Sequence, residues 1–275
     1  MVLMRLLRSN LRKLVRRPAT WVTFLLLVAL LLLIFVAVVA STAQESDPEV
    51  ALAARLVVTF PEAYAVVLSM ILGIGGLLAV CYGGAIAGSE WQWGTLKAAV
   101  ARGEGRSRYT LLAYAAVALF AVLGLVSAFA IGVASAAVGA TILDVPLDGM
   151  GDTDALGRLP ELFGRAALAV SMNTALGYAI ATIARSQLAG IAVGIGVYFA
   201  EGIASIFLPS VIQWFPFSAG GAVVAQGGDV SFGGGGEAAA STTLDPNIAV
   251  VVVLAWLVAA LAVSAVMTER AEIGG

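Results

Sequence analysis

Two carboxylates stand where a charge is costly or informative. Glu201 interrupts an apolar run, and Glu90 precedes the short stretch Trp93-Gly94-Thr95-Leu96-Lys97 between two apolar segments. A carboxylate inside a membrane span faces water, a cation or a polar partner, because lipid does not solvate it. Other chemistry is narrowly bounded. The chain has no histidine, which removes Ser/His/Asp and Cys/His catalysis and the usual zinc and copper constellations. Cys81 is the single cysteine, so there is no disulfide framework. The lysines are Lys13 and Lys97, and no Gly-x-x-x-x-Gly-Lys-Ser/Thr loop is present. Nucleotide hydrolysis of the usual kind is therefore not expected from this chain. Asp148, Asp152 and Asp154 cluster, but without the spacing of a dedicated calcium loop. The expectation is a protein that is not an enzyme and holds no metal or cofactor of its own.

The elements that position these residues follow from composition. Apolar residues make up 61% of the chain and charged residues 12%, against about 25% charged in a soluble domain. This predicts an all-α polytopic membrane protein. Residues 1–18 read as an interfacial amphipathic helix, with Leu3, Leu7, Leu11 and Leu14 on one face and Arg5, Arg8, Arg12 and Arg16 on another. Residues 19–275 then form one domain with spans at about 20–40, 63–87, 109–141, 165–184, 188–208 and 248–267. A signal peptide cleaved near Ser41-Thr42-Ala43 is the competing reading of the start, but the first apolar run is long enough to cross a bilayer. The third span, at roughly 50 Å of helical rise, should tilt or project, and Gly124 and Ser127 are too little to turn it back within lipid.

Charge placement sets the orientation. With the N-terminus inside, the cytoplasmic segments hold Arg5, Arg8, Arg12, Lys13, Arg16, Arg17, Lys97, Arg102, Arg106, Arg108, Arg185 and Arg270, twelve of the fifteen basic residues. Both termini are thus expected in the cytoplasm of a cell-membrane protein, with acidic loops outside. Lipid bilayer is the expected environment, and no nucleic acid partner is expected.

Within this layout, the polar interval from Ser89 to Ala101 predicts a short cytosolic helix capped by Ser89. Trp93, Leu96 and Val100 would share its apolar face, flanked by Glu90 and Lys97. The competing reading is a basic loop that only fixes topology. Small residues at Gly75, Ala79 and Gly83 in the second span, and at Gly190 and Gly194 in the fifth, mark close helix approach. Residues 208–219 are apolar and aromatic but too short to span, so Pro209 and Pro216 should break them into a re-entrant or interfacial hairpin that also carries Trp214 and Phe215. The glycine runs at 220–221, 227–228 and 233–236 read as flexible outer loop. Glu201 falls roughly 20 Å along the fifth span. It either lines a water-filled vestibule with Asn173 or pairs structurally with Arg165 or Asn173.

Glu90, the run Trp93-Gly94-Thr95-Leu96-Lys97, Ala101-Arg102-Gly103 and Ser107-Arg108 closely resemble the first cytoplasmic loop of ABC-2 type transporter permeases. The motif covers about twenty residues, and the six-span layout agrees with it. The resemblance implies a type V exporter-like transmembrane domain. Residues 89–101 would be the coupling helix, with Glu90, Trp93, Gly94, Thr95, Leu96, Lys97 and Val100 docking on a separate ABC ATPase subunit that supplies ATP and Mg chemistry. A second permease copy, identical or not, would complete the pathway. Pro209, Trp214, Phe215 and Pro216 would belong to an outer gate. A membrane scaffold or sensor that recruits a cytosolic protein through the same loop is the alternative, and an ion-coupled secondary transporter using Glu201 is a third.

Overall fold

The computed structural model describes residues 2–44, 55–224 and 244–271, with side chains from residue 7 in the first helix and to residue 42 in the second. The glycine runs at 227–228 and 233–236, and the first-helix residues Leu3 and Arg5 as side chains, lie outside that description. Ten helices are named here: α1 Val2–Arg16, α2 Pro18–Gln44, α3 Glu62–Gln92, α4 Thr95–Val100, α5 Arg106–Ile142, α6 Thr153–Ala184, α7 Gln187–Phe207, α8 Pro209–Ile212, α9 Pro216–Ala222 and α10 Pro246–Glu269. No strand occurs among the described residues. Six of these helices, α2, α3, α5, α6, α7 and α10, are long and apolar enough to cross a membrane, so the chain is a multi-pass membrane protein by the architecture of its helices.

Packing is centred on α3 and α6, the two most buried spans. Glycine makes their contact close. A Cβ at Gly83 would strike the Thr174 carbonyl of α6, and one at Gly177 would strike the Val80 carbonyl of α3. The same α3 helix meets α7, where a Cβ at Gly84 would come within 2.9 Å of the Gly190 backbone and one at Gly194 would overlap the Val80 side chain. Gly75 faces the other way, 3.4 Å from Leu27 of α2, and Ala79 is buried in the core. The small-residue stripes of the second and fifth spans thus serve packing within the chain, and their principal additional partner is the fourth span, which the stripe alone did not reveal.

The third span is one unbroken helix, Arg106–Ile142, through Gly124 and Ser127. The fourth begins earlier than its apolar run, at Thr153, because Asp152 caps it by accepting from the backbone N–H groups of Asp154 and Ala155 at 2.9 and 2.8 Å. That role occupies Asp152, and no group of three or more acidic residues placed to hold a metal occurs among the described residues. A left-handed Arg185 and the cap Ser186 turn α6 directly into α7. The amphipathic α1 lays Leu7, Leu11 and Leu14 on a core cluster that includes Tyr114 and Val117 of α5 and Ala260 of α10. Its apolar face is therefore covered by protein as well as being suited to an interface.

Candidate functional site

At the end of the bundle where α1 lies, here called basal, α3 does not stop where hydropathy falls. It continues through Ser89 and Glu90 to Gln92. This corrects the expectation of one short helix over 89–101 capped by Ser89. Ser89 lies within α3 and donates to the Ile86 carbonyl at 2.8 Å. Trp93 caps the end of α3, Gly94 takes a left-handed φ of 64°, and the separate α4 covers only Thr95–Val100. Glycine suits this reversal because residues with a Cβ rarely take that conformation.

Glu90 is buried, at 7% exposure. A buried carboxylate must be paired and hydrogen-bonded, and three segments outside α3 supply the partners. Arg17, at the α1–α2 junction, forms an ion pair with Glu90 Oε1 and donates to Ser89 Oγ at 2.8 Å. The Thr95 hydroxyl of α4 and the Tyr109 phenol of α5 both donate to Glu90 Oε2. Lys13 of α1 donates to the Tyr109 hydroxyl at 3.0 Å, extending the knot by one more cation. Burial lowers the Lys13 ammonium below the ordinary lysine range, against the pull of the Glu90 carboxylate upward. Arg17 also stacks on Trp93 at 5.1 Å, and Arg185 on Trp91 at 5.3 Å. Arg17, Lys13, Ser89 and Tyr109 were not singled out from the sequence as partners of Glu90. The only signal for them was that a carboxylate at a span end needs cations nearby.

This knot divides the anticipated apolar face. Leu96 and Ala99 are buried against Tyr109 and Ala113 of α5, with Val100 and Trp91 packed on them. Trp93 is 64% exposed, and Lys97, Ala98, Ala101 and Arg102 are exposed beside it. Leu96 thus packs on a span and does not share an exposed face with Trp93, and the outward surface of the loop is formed by Trp93, Lys97, Ala98 and Arg102. Nearby, Arg106 donates to the carbonyls of Glu269 and Ala271 at 3.1 and 2.9 Å, which ties the start of α5 to the end of α10.

Away from the basal end, Glu201 is also buried, at 4% exposure. Its partners are neither Arg165 nor Asn173. Arg165 pairs with Glu161 and donates to Asn247 Oδ1 at 2.8 Å. Glu201 instead accepts from the backbone N–H groups of Phe217, at 3.3 Å, and Ser218. These belong to the first turn of α9, whose amides have no partner within the helix. Pro209 and Pro216 begin α8 and α9, as their fixed φ and missing N–H favour. The prolines thus start two short helices, and α9 extends through Gly220 and Gly221, which read as outer loop in the sequence. Trp214 accepts, through its carbonyl, from Trp256 Nε1 of α10 at 3.0 Å, and Phe215 lies 6.5 Å from the Trp256 ring. Phe217 meets Tyr198 of α7 edge-on at 5.0 Å, and the Tyr198 hydroxyl donates to the Gly73 carbonyl of α3 at 3.1 Å. Asn173 is buried at 3% exposure, beside Gly76 and near Gly220, with its Oδ1 unpartnered.

A chain of contacts runs between the two ends. A Cβ at Gly88 of α3, two residues before Glu90, would overlap the Gln187 backbone at the start of α7. The same α7 carries Glu201, and Glu201 holds α9. Comparison with known proteins finds no protein-family model that matches this chain and no curated protein that matches it.

Proposed function

We propose that the chain is the permease subunit of an ABC-2 type exporter, oriented with both termini in the cytoplasm. It would pair with a second permease copy and work with separate ATPase subunits. The supporting observation is the way the motif residues of the α3–α5 connection act together. Glu90 accepts from Thr95, Gly94 makes the reversal, and Leu96 anchors α4 on α5. A loop so fastened transmits a push to the spans instead of absorbing it, which is what a coupling element requires. The push would reach α7 through the Gly88–Gln187 contact and the outer helix α9 through Glu201. A face of Ala192, Gly196 and Ala200 on α7 is exposed, and small residues four apart suit the approach of a second copy. Export direction follows the resemblance.

Co-expression with an ATPase subunit from a neighbouring reading frame tests this. Trp93→Ala and Ala98→Glu should each reduce copurification of the ATPase by about tenfold or more; Ala98→Glu should leave the thermal stability of the permease unchanged, and Trp93→Ala should lower it only by the loss of the Arg17–Trp93 stacking. Unchanged copurification and unchanged ATP hydrolysis in both variants would reject the docking role. Leu96→Asp would report on stability and not on docking, because Leu96 is buried against α5.

A further inference from the structure

Between α2, α3 and α5 the bundle leaves a lateral groove of about 200 Å3. Its walls are Phe24 and Leu27 of α2, Leu78 of α3, and Phe120 and Gly124 of α5, with Trp21 at one lip. Trp21 and Leu123, both on its lining, are 53% and 51% exposed, so the groove opens outward between α2 and α5. Apart from Thr23, its hydroxyls are already engaged. Thr20 shares a hydrogen bond with Tyr82 at 3.2 Å, and Ser127 donates to the Leu123 carbonyl at 2.8 Å. An occupant therefore meets methyl, methylene and ring surface. In a bilayer such a space, continuous with the hydrocarbon, takes an acyl chain and not water.

Charge at one lip selects among lipids. Trp21 Nε1 donates to the Val15 carbonyl at 2.8 Å, which brings the groove's lining residue to the last turn of α1. Arg16 follows Val15, and Arg12 lies one turn before it on the same face. Both are exposed, and neither forms an ion pair among the described residues. Arg17, the other guanidinium at this junction, is committed to Glu90. Two guanidinium groups on the last turns of α1, next to the Val15 carbonyl that Trp21 bonds, match the phosphate of an anionic phospholipid, which they can hold by charge-assisted hydrogen bonds. We propose that the groove between α2, α3 and α5 binds one acyl chain of an anionic phospholipid whose phosphate is held by Arg12 and Arg16. This site depends only on the membrane architecture and not on the transport reading.

Gly124 offers a clean block. A Cβ there has no neighbour within 4 Å, so Gly124→Leu projects into the groove without displacing the helices around it. The full-length protein, purified in mild detergent, is incubated with phosphatidylglycerol or phosphatidylcholine, and bound lipid is counted by native mass spectrometry. Wild type should retain phosphatidylglycerol in preference to phosphatidylcholine. Gly124→Leu should lower retention about tenfold or more, and the pair R12Q and R16Q should bind the two lipids alike. Equal retention of both lipids by wild type, an undiminished lipid count in Gly124→Leu, or a preserved preference in the arginine variant would each overturn the proposal. As a second measurement that leaves Gly124 and the arginines in place, phosphatidylglycerol with brominated chains should quench wild-type fluorescence more than that of Trp21→Phe. Equal quenching in the two would overturn it as well.

Discussion

Glu90 and Glu201 are both buried carboxylates, and the chain satisfies them in different ways. Glu90 is held by side chains, with Arg17 from 73 residues away, Tyr109 from 19 away and Thr95 from five. Glu201 is held by two backbone amides of one short helix 16 and 17 residues further on. The first arrangement neutralises the charge with a cation that is itself buried, so each ion depends on the other. The second uses donors that a helix start leaves unpaired in any case. Side-chain cross-linking therefore concentrates at the basal end, while α9, packed on α10, α6 and α3, is tied to α7 through the Glu201 carboxylate. If force crosses this bundle, the stiff end is the one that receives it.

The sharpest way to break this contrast is to remove the basal charge. Glu90→Ala strands Arg17, only 8% exposed, without its counter-ion, and loss of one partner of a buried pair costs about 3–5 kcal/mol. Thermal unfolding of the purified variant should show the largest drop of any single substitution discussed here. Replacing both ions, as Arg17→Met with Glu90→Leu, should recover much of the loss, since no charge is then left unpaired. A Glu90→Ala variant as stable as wild type would mean that Arg17 and Glu90 do not depend on one another.

Glu201→Ala should cost less, because what remains unpaired is two amides and no ion. An unsatisfied buried donor costs about 1–3 kcal/mol, and the effect should be confined to α9. Hydrogen exchange at Phe217 and Ser218 should accelerate while the amides of α3 and α6 keep their protection. Glu201→Gln retains one carbonyl acceptor but turns an amide group toward the second N–H, so its loss should be intermediate. Exchange rates at α9 unchanged in both variants would remove Glu201 from any structural role there.

What could be read from the sequence divides along the same line. Hydropathy located the apolar stretch of each span, because a bilayer-length apolar run is set by composition alone, but not the helix ends: α3 runs on to Gln92 and α6 begins at Thr153, well before the expected 165. The prolines at 209 and 216 marked the two short helices, since proline starts helices and cannot continue them. The polar contacts were less legible. The partner of Glu90 lies at an interhelix junction far away in the chain, and the partners of Glu201 are backbone groups, which carry no signature of residue type. The end of α3 was missed for a related reason: its last turn, Ser89 to Gln92, is polar, and its helix persists because Arg17 and Tyr109 satisfy the polar side chains it brings inside. Similarly, the Trp93, Leu96, Val100 spacing is helical, but the reversal at Gly94 places Trp93 on a different surface from Leu96.

The smallest effect tests whether the knot is one unit or a set of separate pairs. Tyr109→Phe keeps the ring that packs on Leu96 and Ala113 but removes the hydroxyl that donates to Glu90 and accepts from Lys13. A hydrogen bond to a charged group contributes about 1.5–3 kcal/mol, and Glu90 keeps Arg17 and Thr95, so the loss in thermal unfolding should fall at or below the low end of that range. The more telling quantity is the coupling in a double-mutant cycle with Lys13→Met. If Lys13 is held in the knot through the Tyr109 hydroxyl, the two substitutions together should cost less than the sum of each alone, by about 0.5 kcal/mol or more. Strict additivity would show that Lys13 answers Glu90 through space and that the hydroxyl is not the link between them.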